Sequence, residues 1–75
     1  MIATVKVNPR VSLGRRIRKL RMKRKLSQEA LALASNLHRN VPGLLERGRQ
    51  DPSLTTLVKI ARGLKVSLSK LVEGL

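Results

Sequence analysis

The stretch LSQEALALASNLHRNVPGLLERG, residues 26–48, decides how this chain folds. Ser27 is a predicted N-cap for a short helix, QEALALA. Glu29 adds an acid in the first turn of that helix, where the positive end of the helix dipole stabilises it. Ser35 and Asn36 end the helix, since asparagine suits the left-handed conformation found at many helix ends. A second candidate helix begins within three residues, so the stretch predicts two short helices joined by a tight turn.

The overall charge points to a polyanionic partner. Seventeen Lys and Arg against four Asp and Glu give the 75-residue chain a net charge of +13, which attracts nucleic acid or anionic membranes. The chain has no aromatic residue, so it lacks the stacking platforms of single-strand binders and the anchors of membrane-surface helices. These observations favour double-stranded DNA, and two helices at this spacing are typical of a helix-turn-helix. Most basic residues between positions 15 and 25 are expected to form a solvated helix face.

Several classes of protein are disfavoured by what the sequence lacks. Without cysteine there is no disulfide, cysteine-ligated zinc or thiol nucleophile. His38 is the single histidine, and no nucleophile–base pair, carboxylate pair or metal cluster is recognisable. No apolar run approaches the roughly 20 residues of a membrane span, and MIATVKV lacks the features of a signal peptide. We therefore expect a cytoplasmic protein that is not an enzyme and needs no cofactor, metal or membrane.

The remainder of the chain predicts three further helices and a lead segment. Ser12 is expected to cap a first helix over residues 12–25, while Ser53 caps LTTLVKIARGL and Ser67 caps a final turn or two. The expected core stripes comprise Leu13, Ile17 and Leu20 in the first helix and Leu54, Leu57, Ile60, Ala61 and Leu64 in the fourth. Asn8-Pro9 is expected to end a β-prone lead, either a disordered arm or a small strand. The expected fold is all-α: a compact five-helix domain over residues 11–75, preceded by an N-terminal extended arm or strand over residues 1–10.

Pro42 and Gly43 occupy positions where the second helix of the pair should run. Inside a helix, proline removes a hydrogen bond and clashes with the preceding turn, at a cost of about 3 kcal/mol. In the first turn the N–H groups have no intrahelical partner, so proline is tolerated there. We predict that this helix starts late, with Asn40 or Val41 as its cap and Arg39 in an irregular segment. The alternatives are a full helix from Arg39 with a strained first turn, or a proline that weakens binding or stability.

The longer pattern LGRRIRKLRMKRKLSQEALALASNL, followed by ER-G-RQDPSLTTLVKIARGLKVSL, resembles the lambda-repressor/Cro-like (Xre-type) helix-turn-helix family. That family of DNA-binding regulators pairs LSQEELA with a later E-x-G-x-x-x-P-S-L-x-T-L-x-K-I-A, and the resemblance covers residues 12–73 without a gap. It implies a five-helix, all-α DNA-binding domain. Pro42 departs from the pattern, since the family usually has a β-branched aliphatic residue there.

The resemblance also implies which positions face DNA. They are Gln28, His38, Arg39, Asn40, Val41, Leu44, Arg47 and Arg49. Gln28 opens the second helix and would bind a phosphate, and Arg47 and Arg49 match a loop that grips the sugar-phosphate backbone. Leu45 matches the buried aliphatic residue of the third helix, and Glu46 is expected to be structural, paired with a nearby arginine.

The side chains suit those implied roles. Arg39 can present a planar fork to guanine, Asn40 can bond adenine or cap the helix, and Val41 can touch a thymine methyl group. Leu44 either contacts a methyl group or is a partly exposed aliphatic residue. His38 has a helix-start or phosphate role as its ordinary interpretation, and Arg39 has the alternative of contacting phosphate alone.

Together these observations predict a sequence-specific transcriptional regulator, repressor-like and encoded by a bacterium or phage. It would bind a palindromic operator as a homodimer, without a small-molecule effector. The candidate dimer interface is the apolar edge of the last helix, formed by Leu68, Leu71, Val72 and Leu75, of which core packing is expected to claim at least half. Edge pairing of residues 2–7 is a second candidate interface. The alternative functions are charge-driven nonspecific nucleic-acid binding and the antitoxin component of a toxin–antitoxin pair.

Overall fold

Five α-helices and their connections make up the part of the chain that the structure describes. This computed structural model describes residues 8–75. Of the extended arm or strand predicted for residues 1–10, residues 1–7 lie outside the described part. The helices are α1 (Pro9–Lys23), α2 (Gln28–Ala34), α3 (Val41–Glu46), α4 (Leu54–Leu64) and α5 (Leu68–Val72). Residues 8–75 contain no strand, so the predicted all-α five-helix architecture is confirmed. None of these helices is long and apolar enough to cross a membrane.

The start of α1 corrects the prediction that Ser12 caps this helix. Asn8 is the N-cap, because its Oδ1 accepts the N–H of Arg10 at 2.9 Å. Pro9 follows at the first helical position, where its missing N–H has no consequence and its fixed φ suits the helix. The Asn8-Pro9 pair therefore starts α1.

Serine caps start α2, α4 and α5 as predicted. The Oγ atoms of Ser27, Ser53 and Ser67 accept backbone N–H groups three residues ahead, at 3.0, 3.1 and 3.0 Å. Both α2 and α4 have the predicted bounds. Asn36, just beyond α2, has a φ of 54°, which confirms the left-handed end predicted there. These three starts depend only on neighbours in sequence.

The core joins residues from all five helices. It comprises Leu13, Ile17, Leu31, Leu45, Ile60, Ala61, Leu64 and Leu71. Leu20 and Leu57 are half-buried at its edge, close to the prediction. Leu54 was predicted to be core but is 68% exposed, because it is the first residue of α4 and projects beyond the end of the apolar stripe.

Close packing of α1 against α3 positions the motif. A methyl group built on Gly14 would overlap the backbone carbonyl oxygens of Leu45 and Glu46, so the two helices approach more closely than any larger residue allows. The second helix of the pair, α2, packs against both α3 and α4, and α5 closes the bundle against α4 and α1. The start of α3 is left at the surface, where Arg39 and Asn40 are exposed.

Candidate nucleic-acid interface

The segment before α3 is a turn rather than helix. The N–H of Val41 donates to the carbonyl of His38 at 3.0 Å, and the N–H of Asn40 donates to Nδ1 of His38 at 3.1 Å. The first α-helical bond follows, from Leu44 to the carbonyl of Asn40. Asn40 is the cap residue, but its side chain makes no capping bond. The late start predicted from Pro42 is therefore confirmed, and Arg39 lies in a turn.

Pro42 occupies the first turn of α3 and also belongs to the interior. Its side chain is among the fully buried ones, and its ring occupies a position where it breaks no helical hydrogen bond. Val41 beside it is half-buried against the core. Proline is therefore part of the interior at the start of a regular helix of six residues.

The end of α3 is anchored by a buried network around Glu46. Its carboxylate accepts hydrogen bonds from Arg21 Nε at 2.6 Å and Arg21 Nη2 at 3.0 Å. Gln28 Nε2 donates to the same carboxylate at 3.2 Å, and Arg18 Nη1 lies 3.9 Å away. The Glu46 side chain is only 4% exposed. The prediction that Glu46 is structural and paired with an arginine is confirmed.

Arg21 is a residue whose role the sequence analysis missed. Its Nη1 also donates to the carbonyl of Leu26 at 2.8 Å, so one guanidinium connects α1, the α1–α2 turn and α3. The hydrogen bonds to Glu46 and the charge of that carboxylate raise the pKa of Arg21 above its ordinary value, although burial alone would lower it. The signal was its position four residues after Ile17, on the buried face of α1.

A shallow groove at the surface of the helix pair brings together five of the eight predicted DNA-facing residues. It is lined by Gln28, Arg39, Asn40, Gly43, Leu44 and Arg47. Gly43 lies at its floor, where an added methyl carbon would come within 3.2 Å of Gln28 Oε1 and 3.4 Å of Arg47 Nη1. The missing side chain therefore lets these two polar side chains lie close to the backbone of α3 and to each other.

The other three predicted residues lie around this groove rather than in it. His38 is exposed at the start of the turn, and its Nδ1 is occupied by the N–H of Asn40. Val41 is half-buried against the core, which leaves only part of its side chain accessible. Arg49 is exposed beyond the end of α3. The groove is thus the centre of a wider surface to which these residues add.

The charges around the groove are positive. Arg39 and Arg47 line it, and no carboxylate does. Glu46, beneath it, is neutralised by Arg21, and Asp51 lies 3.7 Å from Arg10. The two guanidinium groups and two side-chain amides that line this groove can bind phosphate oxygens and the edges of bases.

The predicted dimer residues on α5 divide between core and surface. Leu71 is fully buried, so it has no surface to offer a partner, and Leu68 and Val72 are half-buried against the core. Leu75 is 45% exposed. Val72 and Leu75 line an open apolar depression together with Pro9, Leu13, Pro52 and Leu57, which has Arg10 and Asp51 at its edge.

Comparison with known proteins identifies the family. A family model described as Helix-turn-helix matches residues 17–71. The immunity repressor protein of Bacillus phage phi105 is 40% identical over 62 residues, which are 83% of this chain and 43% of the repressor. The control protein C.SmaI of Serratia marcescens is 40% identical over 60 residues, 80% of this chain and 71% of that protein. The chain therefore spans less than half of the phage repressor but most of the control protein.

A solved structure agrees with these sequence matches. The crystal structure of the restriction-modification controller protein C.AhdI from Aeromonas hydrophila superposes with a TM-score of 0.80 at 40% identity, covering 83% of this chain and 94% of that one. The same overall fold thus occurs in a chain of similar size. On the family match, the sequence identities and the shared fold, this chain belongs to the Cro/C1-type helix-turn-helix family of DNA-binding transcriptional regulators.

Proposed function

We propose that this protein regulates transcription by binding a palindromic operator as a homodimer. The turn before α3 and the protein groove lined by Gln28, Arg39 and Arg47 would contact DNA in its major groove. The observation that carries the proposal is the groove itself, which brings Arg39, Asn40 and Arg47 together with Gln28 next to the closely approached backbone of Gly43. It acts by binding and not as an enzyme, in the compartment that holds the DNA of a bacterium or phage.

Base recognition is assigned to the turn. Arg39 and Asn40 are exposed, and a planar guanidinium on guanine or an amide on adenine discriminates by about 1–3 kcal/mol per base pair. Leu44 and the exposed part of Val41 supply apolar contact for thymine methyl groups. Because Glu46 anchors the C-terminal end of α3, these side chains are held on a helix with a fixed position.

Phosphate contacts are assigned to the surrounding polar groups. Gln28 uses one amide hydrogen on Glu46, which leaves the second for a phosphate oxygen. Arg47 in the groove and Arg49 beyond it would neutralise further phosphates, and His38, whose Nδ1 accepts the N–H of Asn40, would donate its Nε2–H to one. Each such contact releases counterions and makes the affinity depend on salt.

A homodimer accounts for how one short recognition helix achieves specificity, since two-fold pairing doubles the contacts. The apolar depression that includes Val72 and Leu75 is the candidate interface, since Leu71 is committed to the core. Sedimentation equilibrium at micromolar concentration tests this step. A monomer at all concentrations, with and without operator, would contradict the homodimer and leave the DNA proposal to be judged separately.

The decisive experiment is affinity selection from a random duplex library at near-physiological salt, with labelled DNA as the reporter because the chain contains no Trp or Tyr. We expect an enriched palindrome with half-sites about 10 bp apart. Arg39→Ala should relax the preference at one position of each half-site and lower the affinity by about 1–3 kcal/mol per site.

Arg49→Ala is the matched control, because it removes the same charge from a position outside the groove. It should weaken binding uniformly across sequences and reduce the slope of the salt dependence by about 1 for each protomer, and so by about 2 for the homodimer. Binding without any enriched sequence would support charge-driven nonspecific binding instead. If the protein bound no DNA but bound a toxin-like partner protein, the antitoxin alternative would be supported.

A further inference from the structure

A second cleft lies where the C-terminal ends of α1 and α4 meet α5. It is lined by Leu20, Lys23, Arg24, Leu64, Lys65, Val66 and Lys70. None of these residues lines the groove beside α3. The cleft is therefore a separate surface, and the DNA-binding proposal leaves it without a role.

The position of the cleft follows from the two faces of α1. One face packs on α3, where Gly14 touches backbone and Arg21 binds Glu46. The other face approaches α5, where Nη1 of Arg16 donates to the carbonyl oxygens of Lys70 and Leu71, both at 3.2 Å. Leu20 is four residues after Arg16, so the cleft opens on the α5 side of α1.

Every charged residue that lines the cleft is a cation. Lys23, Arg24, Lys65 and Lys70 are all exposed. Among residues 8–75 the ion pairs join Arg10, Arg18 and Arg21 to Asp51 and Glu46, so none involves these four cations. Their proximity to the ends of α1 and α4 complements the helix dipoles, but that effect acts on each cation alone and does not require them to surround one cleft.

The base of the cleft is apolar. Leu20 and Val66 are half-buried there, and Leu64 lies fully buried beneath them. A ligand that complements this surface combines carboxylates with at least one aliphatic side chain. The phosphate backbone of DNA supplies the charge but has no aliphatic group to cover Leu20 and Val66.

We propose that this cleft binds an acidic peptide segment of a partner protein. An aliphatic side chain of the segment lies between Leu20 and Val66, and its carboxylates face Lys23, Arg24, Lys65 and Lys70. Because the two surfaces share no residue, the protein can bind DNA and this partner at the same time. The proposal does not depend on the DNA-binding function, and its first two tests use no DNA.

The first test uses the full chain and two labelled peptides in fluorescence anisotropy at near-physiological salt. Both peptides carry the same run of Asp and Glu, and one has two central leucines where the other has serines. We expect the leucine peptide to bind at least about tenfold more tightly, as burial of one leucine side chain predicts. Equal affinity for both peptides would reduce the interaction to general attraction by the net charge and overturn the proposal.

The second test locates the binding. The double variant Lys23→Glu/Lys70→Glu should weaken binding of the leucine peptide about tenfold or more, by repulsion of its carboxylates. The double variant Arg47→Glu/Arg49→Glu is the matched control, since it changes the net charge equally in and beyond the other groove. It should leave the peptide affinity within about threefold. Equal loss in both variants would overturn the proposal.

Two further readings complete the design. Val66→Thr keeps the shape of the side chain but replaces one methyl group with a hydroxyl group, so it should weaken only the binding of the leucine peptide. Equal weakening of both peptides, or of neither, would contradict an apolar contact at Val66. Far-UV circular dichroism confirms that each variant is folded. If Lys23→Glu/Lys70→Glu lowers operator affinity as much as Arg47→Glu/Arg49→Glu does, or abolishes self-association, the cleft belongs to DNA or to a second copy and the proposal is wrong.

Discussion

The starts of α2 and α3 solve the same problem in different ways. The first turn of α2 is capped by Ser27, whose Oγ accepts the N–H of Ala30 at 3.0 Å. The first turn of α3 has Asn40 at the cap position, and that side chain makes no capping bond. Instead, Pro42 is buried in the core and Glu46 is held by Arg21 at the other end of the helix.

The difference separates stability from recognition. A capped start ties its polar side chain to its own backbone, so that side chain is unavailable to a ligand. At α3 the position of the helix is maintained by distant residues of α1, and the side chains of Arg39 and Asn40 stay free at the surface. The short recognition helix therefore depends on tertiary anchoring. Three pairs of substitutions test how much this anchoring contributes to stability.

The largest effect is expected from Glu46→Ala, which removes the anchor of α3. Arg21 would remain buried without its partner carboxylate, and an unpaired buried charge of this kind costs about 3–5 kcal/mol in the free energy of unfolding. Urea denaturation followed by circular dichroism at 222 nm measures the loss. Asp51→Ala is the control, because it breaks an exposed pair with Arg10 and should change stability by less than about 1 kcal/mol. Equal losses in the two variants would show that the network does not anchor α3.

A smaller loss, about 2 kcal/mol, is expected from Gly14→Ala, because the added methyl group forces α1 and α3 apart. Gly43→Ala is the matched change on α3. There the methyl group meets only the flexible side chains of Gln28 and Arg47, so stability should change by less than about 1 kcal/mol. Operator affinity should nevertheless fall in Gly43→Ala, because the methyl group displaces the side chains of Gln28 and Arg47, which line the groove. Denaturation and operator titration of both variants measure the contrast, and the reverse order of stabilities would contradict it.

The smallest change in the free energy of unfolding is expected from substitutions at the starts of α2 and α3. Ser27→Ala should lower the free energy of unfolding by about 1 kcal/mol, since it removes a capping bond. Asn40→Ala should change it by no more than about 0.5 kcal/mol, as an exposed residue without such a bond. Thermal and urea denaturation of the two variants provide the measurement. A loss in Asn40→Ala as large as in Ser27→Ala would mean that Asn40 caps α3 in solution and is not free to read bases.

The sequence analysis succeeded where structure depends on neighbouring residues. The caps at Ser27, Ser53 and Ser67 and the late start enforced by Pro42 were all predicted, because each rests on bonds within one helical turn. It was wrong at Ser12, since the Asn8-Pro9 pair fits the end of a strand as well as the start of a helix. In the structure the Asn8 cap and the packing of α1 against α3 both accompany the helix.

The candidate site shows the same division. Five of the eight predicted DNA-facing residues lie in one groove, but their spacing in sequence did not reveal that Arg21 supports them from α1. The sequence analysis placed Arg21 in a basic run expected to be solvated, but Arg21 is buried. It made the opposite error at Leu54, outside the site, which was predicted to be core but is exposed.

The helix boundaries of α2 and α4, the positive charge and the choice of DNA over single strands or membranes were thus within reach of the sequence. Caps and apolar spacing depend on residues that are neighbours in the chain, and net charge and composition are totals over the whole sequence. Only the tertiary structure decided which arginine is buried with Glu46, that Pro42 belongs to the core, and that Arg39 and Asn40 are left free beside an open groove. Those outcomes depend on atoms that are distant in the chain and meet only after folding, when burial makes one charge pair indispensable and leaves the others in solvent.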